Sequence, residues 1–354
     1  MSRQCRLPVS YRLKGFSLIE LMVSLTIGLI IAIAAFSAYL GSSSASKMAE
    51  AQGRMNEDAQ AALSILTQQI RMAQNNPRQA GRTDNTRINP IYSFSSKTAS
   101  PASYPSSTSP PSPPSMYSIR GCDGTFKNTS TAAGVNNLRC DDDGLIGSVV
   151  INFEADIYNS GRSQSPASVP TDCLGNSLKK VDVTFTPPPP PNPPPPPVGP
   201  YPYYVAENWF YLVSSSPPAA SNSPLGLYCQ GNGVNSDGSM STAKLMVENI
   251  EDMQFQYGVV GPSFLPADPS VPQVIGYLTA KKINNNINDS ASSDAWGKVV
   301  SVQVCVLVRS EALVASNMAS ASYFKCDGTL NNTPPDLRLR RAYYATVTLR
   351  NRRP

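Results

Sequence analysis

The chain has one long apolar run near its N-terminus, Phe16 to Leu40, whose 25 residues include a single charged side chain, Glu20. At about 1.5 Å of rise per residue, a helix of this length would measure about 37 Å. The hydrocarbon core of a bilayer is about 30 Å thick, so such a helix is long enough to cross it. The pattern therefore predicts a transmembrane helix over residues 16–40.

A helical pattern continues beyond this run, after a stretch from Gly41 to Ser44 that predicts a weak or flexible point in the helix. Pro77 is expected to stop the helix. We predict one helix from Phe16 to about Asn75, apolar on all sides at first and amphipathic over residues 41–76. The residues on its apolar face recur at steps near three, four and seven: Met48, Met55, Ala59, Ala62, Leu66 and Ile70.

Further along, the spacing of apolar residues is typical of strands, over residues 148–157, 179–186, 203–213, 245–260, 299–308 and 341–349. Residues 77–147 contain a Pro/Ser-rich stretch, and we predict a loop region there. A proline tract at 187–197 predicts an extended polyproline II segment. Because strand patterns flank it, an expanded hairpin loop is favoured over a docking site for an aromatic groove. The fold class is α+β, with the long N-terminal helix packed on an antiparallel sheet of a β-rich domain at 148–354 that carries long loop insertions.

Charge sets the orientation of the predicted span. The leader, residues 1–15, contains four basic residues and no acidic one, so it is expected to stay in the cytoplasm while the rest of the chain points outward. Without the leader, the 29 basic residues fall to 25 against 24 acidic ones. A nearly neutral body argues against a nucleic-acid partner. The arginines that remain clustered near the C-terminus could bind DNA or an acidic partner surface, but an ordinary solvated pattern at the ends of the last strand is favoured.

Cysteine usage predicts disulfides in an exported domain. Of seven cysteines, Cys5 lies in the leader, and an even number, six, remains in the body. Six cysteines allow 15 connectivities. We favour the two local closures, Cys122–Cys140 and Cys305–Cys326, which leave Cys173–Cys229; buried free thiols are the alternative.

The sequence offers little for catalysis. The chain has no histidine, no Walker loop and no nucleophile elbow, and its acidic stretches do not fit the EF-hand spacing. The tetrapeptide Cys122-Asp123-Gly124-Thr125 recurs from Cys326 to Thr329, which is typical of Asp-Gly turns tethered by a cysteine. We expect no catalytic residue, no cofactor, no metal site and no small-molecule substrate.

The segment from Lys14 to Leu21 (Lys-Gly-Phe-Ser-Leu-Ile-Glu-Leu) resembles the class III signal of type IV pilins and pseudopilins. The resemblance implies that a prepilin peptidase cuts after Gly15, removing the leader, and methylates the new N-terminal residue, Phe16. It also implies that Glu20 meets the N-terminal amine of a neighbouring subunit during assembly.

The C-terminal part resembles the PilW family of type IV pilus minor pilins, through residues 247–257, Trp296 with 299–309, 338–342 and 351–353. The family implies a low-copy structural subunit without catalysis that helps to initiate or cap the pilus, a filament of cell adhesion and twitching motility. Its partners would be the other minor pilins, the major pilin and a tip adhesin. The subunit would be a single-pass protein of the inner membrane with its C-terminal domain in the periplasm, and would be assembled into the pilus at the cell surface.

Two alternatives stay open. A J-type pseudopilin of a type II secretion system shares the same signal. A single-pass, membrane-anchored periplasmic binding protein or enzyme whose signal is never cut would share the apolar span.

Overall fold

The computed structural model describes residues 15, 17–73, 118–127, 138–141, 146–156, 158–163, 168–185, 198–214, 225–234, 241–260, 274–286 and 296–349. The chain forms two compact units, one up to Glu50 and one from Ala51 onward. The predicted loop at 78–117 and the proline tract at 187–197 lie outside the described residues, as does the leader before Gly15.

The helix α1 runs from Leu18 to Met72 without interruption. It begins two residues later and ends three residues earlier than predicted. The stretch from Gly41 to Ser44, expected to be weak, is helical throughout, and the Ser44 hydroxyl donates to the Gly41 carbonyl at 2.9 Å. The low helix propensity of the residues from Gly41 to Ser44 costs too little free energy to interrupt the helix.

Strands make up most of the second unit, in chain order: β1 (Ile119–Cys122), β2 (Thr125–Phe126), β3 (Cys140–Asp141), β4 (Ser148–Glu154), β5 (Lys180–Phe185), β6 (Val198–Ser214), β7 (Leu225–Gly231), β8 (Lys244–Glu248), β9 (Ile250–Val260), β10 (Val274–Leu278), β11 (Val299–Leu313), β12 (Tyr323–Phe324), β13 (Leu330–Asn331) and β14 (Arg338–Thr348). A short helix, α2 (Ala280–Asn286), follows β10. The architecture is α+β with antiparallel pairing, which confirms the predicted class.

Two sheets carry the fold. The first sheet has the order β1-β4-β6-β7-β8, with β5 also paired to β6, and the second has the order β10-β9-β11-β14. Asn249 separates β8 from β9 and adopts a left-handed backbone with φ of 62°. Asparagine tolerates this conformation better than most residues, so the chain passes here from one sheet to the other. The predicted strand at 245–260 is therefore two strands.

One core joins the second half of α1 to both sheets. The buried helix residues of this core are Met55, Ala59, Ala62, Leu66 and Ile70. The predicted apolar face is thus confirmed, except that Met48 is only half-buried. The alternation within β11 predicts one face formed by Val300, Val302, Val304, Val306 and Val308. The last four point into the same core, but Val300 does not, because the register of β11 against β9 shifts between Val299 and Ser301.

Polar contacts fix the helix on the sheets. The hydroxyl of Tyr343 donates to Asn56 at 2.6 Å, and the amide of Asn208 donates to Gln69 at 2.9 Å. These bonds satisfy side chains at the border of the core, where an unpaired polar group would cost stability.

The segment predicted as loop at 77–147 contains β1, β2 and β3, so that prediction is wrong over these residues. Short strands without a long alternating pattern give no clear period in the sequence. The flanks of the proline tract pair with each other, Phe185 opposite Val198, so the tract connects the two strands of a hairpin.

Candidate processing and assembly site

The start of α1 is fixed by a reciprocal pair of hydrogen bonds between Ser17 and Glu20. The Ser17 N–H donates to Glu20 Oε2 at 3.3 Å, and the Glu20 N–H donates to Ser17 Oγ at 3.2 Å. This arrangement is a capping box, in which a serine before the helix and a glutamate three residues later satisfy each other's backbone groups. It explains why the helix begins at Leu18.

The capping box leaves Gly15 outside the helix. Gly15 is exposed, and among the described residues, its chain neighbours aside, no atom lies within 4 Å of the place where a Cβ would be. Phe16, the predicted methylation site, lies outside the described residues. The Glu20 carboxylate stands in the first turn, where the helix dipole favours a negative charge.

The first half of α1 has apolar side chains on all sides and no packing partner within the described chain. Its large apolar residues between Leu18 and Leu40 are 52% to 79% exposed. In the described part of the chain, α1 is the one helix with the length and composition to cross a membrane. A helix that is hydrophobic all round requires a membrane or other helices around it.

The arginines of β14 were predicted to be solvated, but the structure buries one of them. Arg340 is almost fully buried, and its guanidinium contacts Glu251 at 2.6 Å and Asp336 at 2.7 Å. Burial alone would lower the pKa of Arg340, but these two carboxylates outweigh it and raise that pKa. Arg309 also reaches Glu251, at 3.5 Å. The interpretation of these arginines as a solvated pattern is therefore wrong for Arg340, because the distant Glu251 and the neighbouring Asp336 hold it in a buried position.

Three disulfides close the second unit: Cys122–Cys140, Cys173–Cys229 and Cys305–Cys326. These are the pairs that sequence separation favoured. The first and third lie on the faces of the two sheets that point away from α1, and the second ties the loop before β5 to β7.

Sequence reasoning missed the capping box and the ion pairs that join Arg309 and Arg340 to Glu251. The capping box had a local signal, because serine, two residues, then glutamate before an apolar run is its usual pattern. The contact of Glu251 with Arg340 had none, because these two residues meet only through the pairing of β9, β11 and β14.

Comparison with known families gives two matches. The family model of Type IV Pilus-assembly protein W matches residues 210–351, from within β6 to just beyond β14. The model of the prokaryotic N-terminal methylation motif matches residues 12–36, which contain Gly15, the capping box and much of the apolar half of α1. No curated protein and no solved structure gives a significant match.

Proposed function

We propose that this chain is a PilW-family minor pilin of the type IV pilus that helps to initiate or cap assembly, because the pilus-assembly family model matches residues 210–351 and the methylation-motif model matches residues 12–36. One observation carries the proposal: the unpacked, apolar first half of α1 carries a methylation motif and precedes a domain of which residues 210–351 match the family of pilus-assembly proteins. In this role the subunit is structural, and other minor pilins, the major pilin and a tip adhesin are its partners.

The proposal includes processing by prepilin peptidase. Cleavage after Gly15 removes the leader and makes Phe16 the N-terminal residue, which is then methylated. The chain is anchored in the inner membrane by the first half of α1, with the folded domain in the periplasm, until it joins the pilus at the cell surface. Gly15 is exposed and lies before the start of α1, which supports access of a peptidase to this point.

Mass spectrometry of the mature N-terminus tests the processing step. We expect a methylated Phe16 in the wild-type protein. Gly15→Val should block cleavage, because a branched side chain would stand beside the scissile bond where glycine leaves the backbone open. A mature Gly15→Val protein of wild-type mass would overturn the processing proposal, and so would an uncut wild-type chain, which would instead favour a membrane-anchored binding protein.

The proposed role of Glu20 is to pair with the Phe16 ammonium of a neighbouring subunit. The capping box occupies Oε2, and a carboxylate has a second oxygen that can accept another bond. An ammonium buried unpaired among neighbouring helices would cost several kcal/mol. Loss of the charge should therefore impair assembly even where the protein is cleaved and stays in the membrane.

Two substitutions separate pairing from capping. Glu20→Gln keeps a side chain that can complete the capping box but removes the charge, whereas Glu20→Ala removes both. We expect both variants to be cleaved and both to lose co-purification with the other minor pilins and surface pili. If Glu20→Gln assembles normally and only Glu20→Ala fails, the glutamate acts through the helix start, and the pairing role is wrong.

Deletion of the gene distinguishes the pilus from a secretion system. We expect loss of surface pili with secretion of exoproteins unchanged. The opposite result, intact pili with blocked secretion, would assign the chain to a type II secretion system as a J-type pseudopilin.

A further inference from the structure

The last strand, β14, forms an unusually long and regular edge of the second sheet. It pairs with β11 through nine consecutive residue pairs, from Ser301 opposite Thr348 to Arg309 opposite Arg340, without a register shift. The other outermost strands of the two sheets, β1, β5, β8 and β10, have six residues or fewer. A long edge strand that contains no proline and keeps its register from Arg340 to Thr348 is a template for pairing with another chain.

The backbone groups on the free side of β14 can be assigned from one hydrogen bond. The Leu349 N–H donates to the Val300 carbonyl at 2.8 Å, so the odd-numbered residues of this strand bond to β11. No backbone hydrogen bond within the described chain reaches the opposite side of the strand. The N–H and C=O groups on that side belong to Ala342, Tyr344, Thr346 and Thr348.

The two faces of this edge differ in chemistry. Tyr344 is 60% exposed and lies on the outer face, opposite Cys305 of β11. Arg341 points to the other face, where its guanidinium lies 5.5 Å from the centre of the Tyr343 ring. An added strand would therefore present alternate residues to an aromatic ring and to a cation.

Charge disfavours a second copy of the same strand as the partner. Residues 338–353 contain six arginines and no acidic residue. Arg338 and Arg340 are neutralised by Asp336 and Glu251, but within the described chain no carboxylate pairs with the exposed Arg341. Two such edges side by side would place like charges together, which destabilises a strand pair.

We propose that the free edge of β14 binds an extended segment of a partner subunit in which apolar residues alternate with acidic ones. The backbone of that segment hydrogen-bonds to Tyr344 and Thr346, its apolar side chains pack on Tyr344, and its carboxylates face Arg341. The inference rests on the proposed function only for the identity of the partner, which would be another subunit of the pilus.

A peptide-binding assay tests the edge without any other pilus component. The probe is a fluorescein-labelled peptide of about nine alternating valines and glutamates, long enough to follow the exposed strand, titrated with the full chain in mild detergent. Fluorescence anisotropy should show binding that weakens as salt is raised. The same peptide with lysine in place of glutamate, or with alternate backbone amides methylated on the side that pairs, should bind at least about tenfold more weakly.

Two variants locate the site on the protein. Thr346→Pro removes an N–H that faces away from β11, so the fold should persist while affinity falls about tenfold or more. Thr346→Val keeps that N–H and serves as the matched control, with affinity close to wild type. Arg341→Glu should weaken binding about fivefold and reduce its salt dependence.

Several results would overturn the proposal. Equal binding of the acidic and lysine peptides would show that the edge does not select acidic residues. Unchanged binding of the methylated peptide would show that the peptide does not pair with β14 through its backbone. A dimer of the purified chain that disappears in Thr346→Pro would replace the partner with a second copy. The peptide assay is independent of Gly15 cleavage and of pilus counts, so its failure is distinguishable from failure of the proposed function.

Discussion

The same tetrapeptide, Cys-Asp-Gly-Thr, occurs at two small hairpins, each of which lies over the outer face of one sheet. We call these hairpins the first and second cover; the aspartate of the first makes long-range contacts and that of the second makes only local ones. The first cover, formed by β2 and β3, is held by Cys122–Cys140 over the first sheet. The second cover, formed by β12 and β13, is held by Cys305–Cys326 over the second sheet. Both disulfides enclose loops of similar length, with sequence separations of 18 and 21.

The first cover packs into a buried apolar cluster on the outer face of the first sheet. Phe126 packs edge-on against Trp209, with ring centres 4.8 Å apart. The carboxylate of Asp123 accepts hydrogen bonds from the backbone N–H groups of Ala280 and Lys281, each at 2.9 Å, and so caps α2. One residue of the tetrapeptide thus links the cover to a helix more than 150 residues further along the chain.

The second cover is mostly local. Asp327 accepts from the N–H and the hydroxyl of Thr329, and these bonds lower the pKa of Asp327. Phe324 is 60% exposed. Identical residues therefore cross-link distant segments in one place and close a surface turn in the other, because the surrounding chain decides what an aspartate can reach.

The largest expected effects on the free energy of unfolding come from removing the disulfide of each cover, and the two losses allow a direct comparison of the covers. Chain entropy predicts a loss of about 3 kcal/mol for each bond, since the two loops have similar lengths. We expect Cys122→Ala with Cys140→Ala to cost about 4 to 5 kcal/mol, because Cys122 is buried in the cluster around Trp209 and the hold on α2 weakens. Cys305→Ala with Cys326→Ala should cost about 3 kcal/mol.

Guanidinium unfolding of the full chain in detergent, followed by tryptophan fluorescence, measures both losses. The Cys173→Ala with Cys229→Ala pair serves as a reference for a disulfide outside the two covers. Equal losses for the two covers would mean that loop closure alone accounts for both. The tighter packing of the first cover would then contribute nothing to the free energy of unfolding.

The second cover also shields an acid, which gives the next largest effect. Asp252 on β9 has one oxygen, Oδ1, that is buried and has no hydrogen-bond partner among the described residues. Burial raises the pKa of Asp252 from 3.8 to about 6, although bonds from Met253 and Gln254 oppose the shift. The folded protein therefore holds this proton more tightly than the unfolded chain, and the group destabilises the fold as pH rises from about 4 to about 6.

Asp252→Asn should stabilise the protein at pH 7 by about 1 to 3 kcal/mol, because the neutral amide avoids burial of a charge. The gain should vanish near pH 4, where the wild-type acid is protonated. Unfolding measured at both pH values tests this, and a gain that is independent of pH would contradict it. In the variant without Cys305–Cys326 the gain should shrink, because the loosened cover admits water to Asp252.

Much of this fold is predictable because its longest elements have strong local periods. The helix face from Met55 to Ile70 and the alternating valines of β11 from Val302 to Val308 were identified from spacing alone, since burial on one side imposes that spacing. The local disulfides followed from short separations. The position of Gly15 before an apolar run indicated a prepilin-type signal, and the methylation-motif model matches residues 12–36.

The missed features depend on contacts between distant segments or on short elements. Strands of two residues, such as β2 and β12, are too short to show alternation. The sequence also gives no sign that Glu251 joins Arg340, or that Asp123 caps α2 while Asp327 does not cap any helix within the described chain. Local sequence determines what a residue can do, and the register of the sheets determines which partner it meets.

The two aspartates give the smallest and most direct test of the comparison. Asp123→Ala removes acceptors from two backbone N–H groups, one of them on the fully buried Ala280, and should cost about 1 to 2 kcal/mol. Asp327→Ala removes only a turn bond at the surface and should cost at most about 0.5 kcal/mol. The matched substitutions to asparagine keep one acceptor oxygen, so Asp123→Asn should recover part of the loss. Hydrogen exchange at Ala280 and Lys281 should accelerate in Asp123→Ala and stay unchanged in Asp327→Ala. If the two alanine variants lose equal stability and α2 exchanges at the wild-type rate in both, Asp123 does not hold the helix, and the two covers are equivalent after all.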